Sequence, residues 1–486
     1  MNTLEELHGT LAVRRPADGT VLAAVAVAAV LTDVALRSGP DGLVGAALVA
    51  LVAGGLLLSG RVTNPQARAL AGVAVLFGGF LAARTSPWLL PFDVLAIGGL
   101  LVLAASFASG GSVLDLTIPG ALTRACVAVA HGLAAPAFLW TGRGGRVTSR
   151  RTAATARGLV LAVPILVVLG VLLASADAVF AGFFNGWNLL TPIEHGVLLV
   201  IGAWGMAGLL RLASAASTPS IGSITYRLGR TEATIVLGSV VALFAAFAVA
   251  QVVAASEGGR HVIETAGLTY AEYARTGFFQ LLAVTAITLA VLLGLRAATD
   301  LSDPSDRRRF MILAEAAVSL TLVIVVVAVA RLGLYEDAFG LTMLRLFSKV
   351  FAVWIGVVFV LLAIDLTGLG RRRAWLPSAA VAVGLVFLYG LNLVNPEAVV
   401  VRHNVAFAER SGRFDPDYLA ELSDDAVPAL VAALPRLAPD ARQVVLDQLC
   451  TMGSAGQATR GWWSFNGARD AAVEARNSVC VGRPPR

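Results

Sequence analysis

Charge is scarce in this chain and lysine nearly absent: only 14 % of its 486 residues are charged, and among 37 lysines and arginines Lys349 alone is a lysine. Soluble domains carry roughly a quarter charged residues, so the composition excludes an ordinary soluble protein. Cysteine and histidine are also few, at 3 and 5. No CxxC, no HExxH and no other fixed ligand spacing occurs, so no metal is expected. A Walker loop, a GxGxxG turn after a strand and a GxSxG elbow are all missing, so no cofactor is expected either. The ten-residue alternating strands of an outer-membrane barrel are missing too.

What remains is 57 % apolar, with 49 glycines. A helix needs about 20 apolar residues to cross roughly 30 Å of hydrocarbon, and in lipid its backbone groups must pair internally. Eleven such runs are expected, near 20–36, 42–59, 67–83, 88–108, 158–183, 195–213, 232–255, 277–298, 312–334, 341–366 and 376–394. The fold class is therefore all-α, a polytopic transmembrane bundle. Leu116–Trp140 is ambiguous, because Arg124 and His131 fall on one helical face between Pro119 and Pro136. It reads as an amphipathic helix lying in the interface rather than a crossing segment.

The net charge of +6 does not point to nucleic acid, because the arginines sit in short loops between the apolar runs. Arg143 to Arg157, Arg227 with Arg230, Arg307 to Arg309 and Arg371 to Arg373 mark alternate loops. Placed in the cytoplasm, they put the N-terminus inside and everything after Asn395 outside. This is the topology of a multi-pass membrane protein. Arg14-Arg15 lacks the follow-on residues of a twin-arginine signal, so an uncleaved first span is expected. The division is then a cytoplasmic arm at 1–19, a first membrane block at 20–140, a basic loop at 141–157, a second block at 158–394 and an external helical domain at 395–486. Cys450 and Cys480 both fall in that domain, where a disulfide would persist; two free thiols are the alternative. Within the domain, Ser423 is expected to cap one helix and Asn466 another.

The second block repeats itself. Thr231-Glu232-Ala233 and Ala314-Glu315-Ala316 each follow a basic loop, and the spans they open lead to ETAGLTYAEYAR at Glu264 and EDAFGLTMLR at Glu336. A two-span hairpin used twice in one orientation accounts for this. Gly267 and Gly340 would turn the chain, Thr269 and Thr342 would cap the returning helices, and Glu272 would pair with Arg275. Glu264 and Glu336 are left without such a role. Asp177, Arg331, Arg345 and Lys349 lie in outer halves of spans, where charge costs roughly 2.5–3.5 kcal/mol at mid-bilayer and usually faces protein or water. Lys349 would either pair with Asp177 or extend its ammonium to the interface. Asp177, Glu264, Glu272, Arg275, Arg331, Glu336, Arg345 and Lys349 are the candidate lining of a polar cavity that could bind a ligand. Trp462 and Trp463 would anchor at the membrane surface or fill the small core of the tail, rather than stack on a sugar.

LASADAVF at Leu173, GLTYAEYARTGFF at Gly267, YEDAFGLTMLR at Tyr335, NPEAVVVRHN at Asn395 and YLAELSDDAVPAL at Tyr418 resemble a bacterial multi-pass family catalogued as a domain of unknown function, the 4153/4173 group. The resemblance implies an integral membrane protein and brings no activity or catalytic residue. Three functions are compatible with the residues. A non-enzymatic envelope protein, whose external face binds a ligand or partner, fits the one-sided polarity best. A transporter would route its substrate past Asp177, Arg331, Arg345 and Lys349, and an enzyme on a lipid-linked substrate would use Glu264 and Glu336 as acid and base.

Overall fold

The computed structural model describes residues 11–141, 190–215, 228–255, 270–368, 375–452 and 461–480, together with Leu169 and Leu173. Helices make up almost all of them, and the two isolated β-bridges belong to no strand among the described residues.

The first block contains α1 (Gly19–Ser38), α2 (Leu43–Leu58), α3 (Pro65–Leu81), α4 (Leu90–Ser106), α5 (Ile118–Leu133) and α6 (Ala135–Thr141), and it takes in α7 (Leu190–Ala213), which the sequence division puts in the second block but which packs on α1. The second contains α8 (Arg230–Ala255), α9 (Tyr270–Ala298), α10 (Pro304–Phe339), α11 (Met343–Thr367) and α12 (Leu376–Val394). Five short helices close the chain: α13 (Pro396–Ser411), α14 (Pro416–Ala420), α15 (Val427–Ala433), α16 (Pro439–Met452) and α17 (Gly467–Cys480). Among the described residues seven helices, α1 and α7 to α12, are long and apolar enough to cross a membrane. With 16 or 17 residues each, α2, α3 and α4 fall about one turn short of the usual length. The expected span at 158–183 lies outside the described residues, apart from Leu169 and Leu173.

Two cores form because two sets of helices pack separately. Leu56, Phe77, Leu100 and Leu210 centre the first block. Leu237, Phe310, Val318 and Phe359 centre the second, in which α10 packs against α8, α9 and α11. Between the blocks runs α12, in contact with both α4 and α11. Segment 118–141 is two helices, and α5 is polar inward and apolar outward. His131 is fully buried, its Nδ1 accepting from Arg211 at 2.6 Å, while Arg124 lies 3.9 Å over the Phe107 ring. Leu122, Val129 and Leu133 on its outer side are exposed, a surface suited to lipid.

The ends of the bundle differ in cover. At one end Arg61 joins Asp18, Pro16 and Ser214, and Arg230 pairs with Asp306 at 3.2 Å. At the other end sits the C-terminal domain, with its own core of Val400, Val405, Leu430 and Leu449. It closes over the loops at 39–42 and 82–89 and the turn at 340–342. Asn466 fastens it: its Oδ1 accepts the Ala468 and Arg469 amides at the start of α17, and its Nδ2 donates to the carbonyls of Asp41, Leu81 and Arg84. Arg469 adds a 2.6 Å ion pair to Asp41. Ser423 is not a helix cap, since α15 begins four residues later; its hydroxyl goes to Glu397 instead. A disulfide joins Cys450 to Cys480, tying the ends of α16 and α17. Trp462 is 77 % exposed, so it fills no core, and its place beside the start of α2 suits the interfacial aromatic belt.

Candidate functional site

The turn joining α10 to α11 is the second of the two repeated phrases, and its geometry follows from two residues. Gly340 has φ +74°, a conformation side chains avoid, and a Cβ there would lie 2.6 Å from Asn404 Oδ1. Thr342 caps α11 through the Arg345 amide. Asn404 of α13 reads the same turn from above, accepting from Leu341 N at 2.8 Å and donating to Leu341 O at 2.7 Å. Tyr418 accepts from Met343 N at 2.7 Å. The turn is thus clamped to the C-terminal domain by backbone bonds.

Beneath it the lone lysine meets its partner. Lys349 Nζ is 2.6 Å from Glu336 Oε2, the carboxylate being nearly buried and the ammonium 37 % exposed. The expected alternative partner, Asp177, lies outside the described residues, as does Glu264. Glu272 and Arg275 stand in the first turns of α9, and their side chains are likewise outside the description. Arg331 donates to Gln251 at 3.0 Å, joining α10 to α8, and reaches past Gly277 of α9, where a Cβ would touch its guanidinium. Arg345 donates to the carbonyls of Phe339 and Gly340 and lies 4.2 Å over the Tyr335 ring. Three of the expected cavity residues, Glu336, Arg345 and Lys349, therefore gather around one turn, whereas Arg331 sits at a separate contact.

A cavity of about 390 Å³ opens between this turn and the C-terminal domain. Thr342 and Arg345 form one wall; Asn404, Phe407, Arg413 and Tyr418 form the other. Phe339 and Phe414 add two more rings, and Asp415 the one carboxylate.

Beside the cavity lies a polar cluster that sequence reasoning largely missed. Asn392, fully buried near the end of α12, donates to Asp93 Oδ1 of α4 at 2.8 Å. Arg84 donates to the carbonyls of Asn392 and Leu393 and pairs with Asp425 at 3.1 Å. Asp425 also accepts from the Thr85 amide and hydroxyl. Glu397, fully buried, accepts from the Ser423 amide and hydroxyl, both at 2.7 Å. The available signal was the order Asn395-Pro396-Glu397: an asparagine turn, then a proline at the first helical position. Asn395 adopts φ +57°, caps α13 at the Ala398 amide and donates to Asp425 O.

Burial raises the Glu397 carboxyl above its ordinary range, with Asp425 pushing the same way and the hydroxyls of Ser86 and Ser423 opposing. A raised carboxyl binds its proton more tightly in the folded state, so stability is full below the ordinary carboxylate range and falls as pH rises through the raised value. Glu397→Gln keeps an acceptor for Ser423 and removes the charge. It should flatten the fall of the melting temperature as pH rises above the ordinary carboxylate range and raise its upper end. An unchanged profile would show that Glu397 stays ionised throughout.

Seven long apolar helices, two helical cores and a capping helical domain define an all-α integral membrane protein. The family catalogued as Domain of unknown function (DUF4153) matches residues 69–433, and the chain belongs to it. No curated protein and no solved structure matches the chain.

Proposed function

We propose that the protein is a non-enzymatic component of the bacterial inner membrane that binds an envelope ligand on its external face. The site is the cavity between the Phe339–Thr342 turn and helices α13 and α14. Its composition carries the reading. Phe339, Phe407, Phe414 and Tyr418 present rings, and Arg345 and Arg413 outweigh Asp415 in charge. Aromatic faces with a few oriented polar groups suit a sugar, and the surplus positive charge suits an anionic one. The external placement rests on the alternation of basic loops along the sequence, which the charge rule assigns to the cytoplasm, and on the disulfide of the capping domain.

The test is binding of soluble anionic saccharide fragments of the cell envelope to the full chain in lipid nanodiscs, by calorimetry. Arg413→Ala and Phe407→Ala should each weaken binding by about tenfold or more. Arg436→Ala, which removes a surface pair with Glu409 elsewhere on the domain, should leave it unchanged. Equal affinity in all four proteins would remove the cavity from consideration, and absence of binding to the unaltered chain would remove the ligand class.

A further inference from the structure

We propose that the groove between the two blocks holds the hydrocarbon chain of a membrane lipid as a resident ligand, a site independent of the cavity at Arg413. The groove has a volume of about 520 Å³. Phe92 of α4, Leu282 of α9, Phe351 and Trp354 of α11, and Leu385 and Leu388 of α12 form its walls. Towards the capping domain, Phe347 closes the gap between the blocks, its ring 5.6 Å from Trp88 and 5.8 Å from Phe92.

Chemistry, depth and wall shape select the occupant. The indole N–H of Trp354 is already donated to the Ala380 carbonyl at 3.2 Å, so the wall's largest polar group asks nothing of a ligand. Ser348 supplies a lone hydroxyl. Three of the four contributing helices, α9, α11 and α12, are long enough to cross the membrane, which puts the groove at the level of hydrocarbon. A helix of a second copy is the poorer fit. Helices that pack in lipid approach through small residues; these walls are bulky, and their glycine, Gly384, is screened by Trp354, whose Nε1 lies 3.2 Å from where a Cβ would stand. A methylene chain adapts to such irregular walls, and α12, only 6 % buried along its apolar window, gains a packing partner from it. The lipid chain would fill the seam where α12 joins one block to the other.

Photo-crosslinking tests this on the full chain, in vesicles of phosphatidylethanolamine and phosphatidylglycerol. A benzophenone amino acid replaces Ser348 in the groove or, as reference, Leu243, which is 66 % exposed on the outside of α8. Mass spectrometry should find several-fold more lipid adduct at 348 than at 243, and Gly384→Leu should bring the yield at 348 down to the reference. Equal yields at the two positions, or a principal adduct to a second copy of the chain, would overturn the proposal. So would a folded Gly384→Leu chain that keeps the full yield; should that variant fail to fold, the ratio of 348 to 243 decides alone.

Discussion

Arg84→Ala is expected to release the C-terminal domain from the membrane bundle, at a cost of about 3–5 kcal/mol. Asp425 explains the size. Its side chain is 1 % exposed and Arg84 is the cation beside it, so the truncation leaves a carboxylate out of water with only the Thr85 amide and hydroxyl. The carbonyls of Asn392 and Leu393, at the end of α12, lose their donor as well. Water entering the cleft will recover part of this, because Arg84 itself is 21 % exposed. Asp425→Asn in the same chain removes the stranded charge and should restore much of the loss. Thermal unfolding in detergent, with limited proteolysis of the C-terminal domain, reads both effects. A single variant as stable and as protease-resistant as the unaltered chain would mean that the domain is held without this pair.

The second large effect concerns the disulfide. Cys450 and Cys480 close a loop of 30 residues, for which the chain-entropy account gives about 3–4 kcal/mol. Replacing both by serine should lower the unfolding temperature of the C-terminal domain and expose α16 and α17 to protease, while the apolar cores of the membrane blocks keep their helices. The same cysteines report the side of the membrane. In intact cells a membrane-impermeant thiol reagent should label them only after external reduction. Ready labelling without a reductant would mean that the bond is not formed, and labelling only after lysis would place the domain inside.

Much of the fold was legible because lipid imposes a strong rule: long apolar runs become helices. The turn at 340–342 was legible for a local reason, since a glycine followed two residues later by a threonine can both turn a chain and cap a helix. The partner of Lys349 was not. Depth in the membrane suggested Asp177, but Glu336 sits in the last turn of α10, just before a tight turn, and that turn folds it back over the start of α11. Asp93, Arg84, Glu397 and Asp425 were harder still. None carries a partner near it in sequence, and only the packing of α12 and the start of the C-terminal domain against α4 and the 82–89 loop, some 300 positions earlier, brings them together. Hydrophobic periodicity carries no information on such pairings.

Asn466 meets the carbonyls of Asp41, Leu81 and Arg84, separated from it by 425, 385 and 382 residues. A ribosome makes those loops more than 380 residues before their partner. Until α17 emerges, three backbone oxygens at the head of the bundle lack this donor. Contacts of such long range are slow to form. Asn466 therefore acts as a late seal: a chain that lacks it is expected to insert its helices yet leave the carbonyls of Asp41, Leu81 and Arg84 without their donor.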